Sequence, residues 1–516
     1  MIVYNCYINT ILCLRKENAK MKKTLFCTMA LILSVLAAVP AYSCGNGSTD
    51  EQTEDQTKPD ANQESAADED GDIFSALRGK DFGWTKITIL CRDNEGSSYK
   101  NEFGITEETG DIVEDAIYKR NLTVSNLLNV DIETITMDGS WNNQDEFMGL
   151  IRNSVAAGDH EYDIITGYQA YITQLAMGGE VINMLDLPYV DYTQPWWNGE
   201  TIEQNTVNGK CFFVNGDIGL STYYAMSVVY FNKRIAEELD LGDVYQLVHD
   251  GKWTKEKAAE FSKAAAIDLN GNSKMDLDSD RFGYATNHAH EHMNAFHRSM
   301  STIESGKPVL NLMNEDVVDV FDWVRKFYYK SDGVAPINKS AVDYKISLGM
   351  FTEGRSLLYP DSLGSLSSLR DMSDDFGVLP LFKWDEEQKD YYSLYLDFLT
   401  QICVPVTSAE SADAIGAVLE AMAIDGHYNV VPAFYDVAVK SKYVRDNESI
   451  EMIELTRKNV VQSFVDIYGG CLDMLSNLLN NYAQKHIASG GDYTSYAASN
   501  IDKWQAKLDS LIEIFN

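Results

Sequence analysis

Apolar residues recur along this chain with two periods. In residues 86–91, K-I-T-I-L-C, apolar and polar positions nearly alternate, which predicts a strand. Residues 111–128 place Val113, Ile117, Val124 and Leu128 on or near one face of a helix. Residues 131–136 read as a second strand, and 144–157 as a helix aligning Phe147, Ile151 and Val155. Residues 162–168, Y-D-I-I-T-G-Y, read as a third strand with its exit loop. This β-α-β-α-β order predicts an open α/β layer. Ligands of such sheets sit beyond the carboxyl ends of the strands, so loops 92–96 and 167–169 are expected to face a site.

Residues 216–233, G-D-I-G-L-S-T-Y-Y-A-M-S-V-V-Y-F-N-K, begin polar and become β-branched and aromatic. That pattern fits a strand buried along part of its length. A helix-like run, 234–239, follows it. Beyond lie a helix over 253–265 with Thr254 as N-cap, an acidic loop at 268–280 and a strand over 282–286. A helix over 315–328 carries Val317, Val320, Phe321, Val324 and Phe327 at core spacing. Apolar runs at 356–359, 375–381 and 399–405 precede mostly helical sequence from 410–423 onward. With 516 residues the chain is too long for one ordinary core, so two or more domains are expected.

The amino-terminal stretch has neither period. Met21 opens a better start than Met1, because Lys22-Lys23 and the apolar residues 24–39 lead into A-Y-S-C-G at 41–45, which reads as an export-processing site. Residues 1–20 are then an upstream extension and 21–43 the signal. The apolar run falls short of the ~20 residues that a membrane span needs. Residues 45–71 are polar, acidic and almost free of apolar side chains, so they are expected to stay disordered. The whole chain has 78 acidic against 42 basic residues, a net charge of −36. This argues against a nucleic-acid partner, which needs clustered Lys and Arg, and fits a soluble monomer kept apart by self-repulsion. Eight cysteines show no metal-type spacing. Cys91, Cys211, Cys403 and Cys471 are expected as buried thiols, and spacing alone does not decide a disulfide among them.

Several groups are candidates for chemistry. The hydroxyls and rings of residues 221–224, with Tyr223 and Tyr224, suit a sugar or peptide ligand. Trp196 and Trp197 lie side by side in a polar loop, where they either stack on a ligand or brace a domain interface. Asp268, Asn270, Asn272, Asp276, Asp278 and Asp280 are spaced as in a partial calcium loop and equally as in a solvated acidic turn. Residues 287–294, N-H-A-H-E-H-M-N, offer alternating histidines, which is a weak metal signature without a distant ligand. No G-x-S-x-G, H-E-x-x-H or P-loop marks an enzyme.

The Y-F-N-K ending of the 216–233 run, D-A-I-Y-K-R-N at 115–121, P-W-W-N at 195–198, F-T-E-G-R at 351–355, and V-P-A-F-Y through K-Y-V-R-D at 431–446 together resemble extracellular solute-binding proteins of bacterial ABC importers, in the sugar- and oligosaccharide-binding branch. The resemblance runs from Trp84 to the carboxyl terminus. It implies a periplasmic-binding-protein-like type II fold, α/β, with two discontinuous lobes joined by crossing segments near 216–232, 351–359 and 397–405. Lobe 1 would take residues 84–220 and 355–400, and lobe 2 residues 230–350 and 405–516, within a binding domain of 81–516. It also implies a lipoprotein: Cys44 lipidated and residues 44–80 a tether to the outer face of the membrane. The cleft residues it implies are Tyr168, Gln169, Trp196, Trp197 and Asp361 from lobe 1 and Glu291, His292 and Asn294 from lobe 2, with Tyr223 and Tyr224 near the hinge. The expected partners are a neutral, hydroxyl-rich oligosaccharide and importer permease subunits, with no cofactor beyond a structural calcium ion. The alternatives are an extracellular carbohydrate-active enzyme and a sensory module serving a membrane receptor.

Overall fold

A computed structural model describes residues 72–93, 102–336, 344–436, 444–487 and 491–516. The export signal, Cys44, the tether to residue 71 and loop residues 94–96 lie outside the described residues, as does the middle of the 431–446 run.

The first sheet is built as the alternation predicts. Strand β1 (Thr85–Asp93) pairs in parallel with β2 (Val130–Asp138), from Thr85 opposite Val130 to Asp93 opposite Asp138. Helix α1 (Ile112–Leu128) connects them. The Asp111 side chain accepts from the Val113 and Glu114 amides and caps the helix, and Asn129 ends it in the left-handed region. Helix α2 (Gln144–Ala157) ends at left-handed Gly158 and leads to β3 (Ile164–Tyr168), the other parallel neighbour of β1. The sheet is completed from far along the chain by β10 (Thr400–Cys403), antiparallel to β3 with Thr400 opposite Tyr168.

The second sheet has the order β5-β8-β4-β9. Strand β4 (Ser227–Asn232) is buried throughout, between antiparallel β8 (Ser356–Ser362) and β9 (Phe376–Leu379); β5 (Phe282–Tyr284) lies parallel to β8. Helix α3 (Lys255–Ala265), capped by the Thr254 hydroxyl, packs on β5 so closely that a Cβ at Gly283 would stand 2.1 Å from the Ser262 carbonyl oxygen. A short helix α4 (Glu291–Ala295), the hairpin β6 (Ser301–Glu304) and β7 (Lys307–Leu310), and α5 (Glu315–Lys330) follow β5. Residues 221–224, expected within a strand, form one helical turn before β4.

Two lobe assignments require correction. Residues 356–362 and 376–379, expected in the first lobe, pair with β4 and so belong to the second sheet. Helix α6 (Ala412–Asp425), expected in the second lobe, is apolar and buried on all sides. Its Ile415, Val418, Leu419 and Met422 join Ile87, Ile89, Val124, Leu128 and Ile164 in the first core. The physical reason is common to both: a fully buried element is apolar all round, so its pattern carries no mark of its neighbours. Later segments return to the second unit. Helix α7 (Asn447–Arg457) packs on β9, α8 (Phe464–Tyr468) beside β6, and α9 (Tyr493–Ile512) against α5. Cys91, Cys211, Cys403 and Cys471 are free thiols.

Candidate functional site

Among the described residues two segments lead directly from one sheet to the other; a third passage, from α6 to α7 over 426–446, lies partly outside them. Residues 214–227 leave the first sheet beside β10 and enter β4, and 394–400 return alongside them. Their backbones are tied by Ser227 N to Leu394 O at 3.1 Å, Leu396 N to Ala225 O at 2.8 Å and Val214 N to Ile402 O at 3.0 Å. The crossing expected at 351–359 is absent, because that stretch is the approach to β8 and β8 itself.

A buried polar knot fastens these crossings. Arg120, 1% exposed, donates to the carbonyls of Ile218 at 2.7 Å and Glu102 at 2.9 Å. The Glu102 carboxylate accepts from the Ser221 amide at 3.0 Å and the Thr400 hydroxyl at 2.8 Å. The Thr400 amide donates to the Ser221 hydroxyl at 3.1 Å, and Arg92 donates to Phe398 O at 2.8 Å and the Thr400 hydroxyl at 2.9 Å. Burial lowers the Arg120 pKa to about 10, against the pull of Asp425 and Glu102. Arg120 stands in the apolar stripe of α1, between Ile117 and Val124. A cation in that register was the available signal, and the sequence reading did not use it.

In front of the crossings the strand ends of both sheets converge. From the first sheet, Tyr168 stacks on Tyr171 with ring centroids 5.6 Å apart, has Arg92 over its ring at 5.0 Å, and donates its hydroxyl to Asp397 at 3.2 Å. Burial, then the charge of Asp397, hold that hydroxyl far above the ordinary tyrosine range. Trp141 flanks the same ring at 6.3 Å. From the second sheet come the exit of β5 and the end of β8. His288 Nδ1 and Glu291 Oε2 lie 2.8 Å apart, with Glu291 fully buried and His288 nearly so. Burial opposes charge on both, but each holds the other in its ionised form, and Asp361 and Asp397 add to the field on His288. Asp361 accepts from the Tyr359 hydroxyl and from the Ser362 amide at 2.6 Å. Asp397, which accepts from Tyr168, and Asp361 of β8 both contribute to the field at His288, and this links the two groups.

Gln169 and Asn294 meet at Asp466: Gln169 Nε2 donates to its carbonyl at 3.1 Å and Asn294 Nδ2 to its carboxylate at 2.9 Å. Asn294 also borders a cavity of about 560 Å³ whose lining includes His297, Ser301, Asn311, Gln462 and Ser463. His292 packs among Phe296, Trp323 and Phe382, and its Nε2 meets the Tyr328 hydroxyl at 2.7 Å, so it is enclosed in the second core.

Trp196 and Trp197 are both buried. Their indole nitrogens donate to the two oxygens of one carboxylate, Glu420 of α6, at 3.1 and 2.9 Å. They border, with Tyr223, Asp217 and Arg457, a cavity of about 130 Å³ behind the crossings. Tyr223 donates to Asp217 at 3.1 Å, and Tyr224 packs edge-on to Phe434 at 4.8 Å. Trp196, Trp197 and Tyr223 thus line one cavity, and Tyr168 is not part of its lining. In the acidic loop, Asp268 accepts from the amides of Gly271 and Ser273, both at 2.6 Å. Asp280 accepts from those of Leu269 at 2.9 Å and Asp276 at 2.7 Å, and Asn272 Nδ2 donates to Asp276 at 2.7 Å. The loop's oxygens serve its own backbone and side chains. Asp278 makes no such bond that bears on the site.

Residues 129–418 match the family described as bacterial extracellular solute-binding protein. No curated protein matches the sequence. Among solved structures, UspC of M. tuberculosis is 14% identical, with 83% of this chain and 100% of that one covered and a TM-score of 0.52. An extracellular solute-binding protein of Staphylococcus aureus in complex with maltose is 11% identical, covering 84% and 99%, also at 0.52. The GacH receptor of Streptomyces glaucescens, solved unliganded and with acarbose, is 11% identical, covering 82% and 98%, at 0.51. At these identities the likeness is one of fold.

Proposed function

The chain belongs to the bacterial extracellular solute-binding proteins, and on that premise we propose that it captures a neutral, hydroxyl-rich carbohydrate, an oligosaccharide, and hands it unchanged to the permease of an ABC importer. What supports this reading is the aromatic platform at Tyr168 on one sheet, with Asp397 at 3.2 Å, and the shared charge field by which Asp397 and Asp361 act on His288 beside Glu291 on the other. Rings of this kind stack on the apolar faces of sugars while carboxylates and amides take the hydroxyls. Contacts made to both lobes at once are what drive closure of such a clamp. The maltose and acarbose complexes of the structural neighbours support the choice of ligand class.

A thermal-shift screen against mono- and oligosaccharides is expected to find a ligand that raises the melting point, since binding to the folded state alone stabilises it. Calorimetry with that ligand should then show Tyr168→Ala weaker by at least ~1 kcal/mol, about fivefold. Unchanged affinity in Tyr168→Ala would move the cleft elsewhere, and no sugar in the screen would end the carbohydrate reading.

On the same reading Cys44 carries lipid and residues 45–71 act as the tether, whereas residues 72–80, expected in it, fold onto the domain with Phe74 and Leu77 buried in the first core. Cell fractionation of Cys44→Ala is expected to release the protein from the membrane. Retention equal to that of the parent would place the anchor elsewhere.

A further inference from the structure

The loop between β5 and α4 holds three buried polar atoms with no hydrogen-bond partner: both ring nitrogens of His290 and Oε1 of Glu291. Glu291 is 0% exposed. Buried donors and acceptors are nearly always paired, because an unpaired one loses water without replacement. Three such atoms on two adjacent residues therefore point to a missing occupant. One ligand atom from each of His288, His290 and Glu291 lies within 4.8 Å of the others.

We propose that His288, His290 and Glu291 bind one divalent transition-metal ion of the zinc class at the second-sheet wall of the cleft. Two imidazoles and a carboxylate are the donor set that such an ion prefers, whereas calcium and magnesium take oxygen ligands. Ligands at about 2.0–2.2 Å from a tetrahedral ion stand roughly 3.4 Å apart. His288 and Glu291, now 2.8 Å apart, have to separate by roughly 0.6 Å and His290, within 4.8 Å of both, to draw in. The surroundings supply a negative field: Asp397 acts on both histidines, Asp361 on His288 and Asp466 on His290. The ion binds neutral imidazoles and an ionised carboxylate, so its entry releases whatever proton His288 carries. Three protein ligands leave one coordination position for water or for a bound solute. His292 takes no part, because Tyr328 and three aromatic rings enclose it.

The site shares His288 and Glu291 with the carbohydrate reading, but the two are tested separately: the ion is titrated without sugar and the sugar screen is run in chelator. The full chain, stripped of metal, is titrated with zinc alone. One equivalent is expected to bind with micromolar or tighter affinity, and His290→Gln to weaken binding at least ~10-fold. His249→Gln, at a partly exposed histidine paired with Glu451, leaves it unchanged. Cobalt(II) in place of zinc is expected to give visible absorption bands that His290→Gln abolishes. His288→Gln makes the same comparison should His290→Gln fail to fold, as judged by its metal-free melting curve. Absence of binding up to ~1 mM zinc, or equal affinity in both variants, overturns the assignment.

Discussion

Replacing Arg120 by methionine is expected to destabilise the protein by about 3–5 kcal/mol, the usual penalty for removing one partner of a buried charge network. The substitution preserves the apolar stem. It leaves the Ile218 and Glu102 carbonyls without their donor and removes the cation facing Glu102 and Asp425. Arg120→Lys should recover only part of the loss, because one ammonium does not reproduce the planar fork that reaches both carbonyls. Urea unfolding measures both. A change below ~1 kcal/mol in Arg120→Met would show that the crossings hold together without the knot.

The second large effect is expected at Glu420. Its alanine variant strips the acceptor from two buried indoles and from the Asp191 amide, and at about 1–3 kcal/mol for each unpaired group the loss should reach at least roughly 3 kcal/mol. Burial raises the Glu420 pKa to about 7, although the Trp197 and Trp196 hydrogen bonds pull the other way. A carboxyl group raised in the folded state binds its proton more tightly there than in the unfolded chain. Its contribution is therefore greatest below the unfolded value near 4.5, declines as pH rises from there to about 7, and is flat above. The shift corresponds to about 3 kcal/mol over that window. Glu420→Gln, which cannot ionise, should flatten this part of the stability–pH curve. A curve of unchanged slope would mean that Glu420 stays ionised throughout.

The parts of the fold legible in the sequence were those whose pattern is local. Helices α1, α2 and α5 and strands β1 to β3 announce themselves by a period and by caps such as Asp111 and Gly158. Pairing partners did not, because β8 and α6 are buried on every side and would read the same in either lobe. The site shows the same division. Tyr168 and Glu291 stand at strand exits, where topology directs attention. Asp397 meets Tyr168 across 229 positions, and Glu420 meets Trp196 across 224, without a local trace. Trp196 and Trp197 illustrate the ambiguity best: the same two rings suit stacking and bracing, and only the position of Glu420 shows what their nitrogens bind.

The pairing of β3 with β10 bears on how the chain is made. Strand β3 is finished at residue 168, yet its edge partner arrives only at residues 400–403, and the helix that fills the same core ends at 425 of 516. The second sheet likewise waits for residues 376–379 to flank β4. Contacts so distant in sequence form slowly, after the entropy of closing long loops has been overcome. Each lobe therefore stays incomplete until most of the chain has been synthesised. Slow completion keeps a chain threadable for longer, which is a condition for passing a membrane pore and folding on the far side.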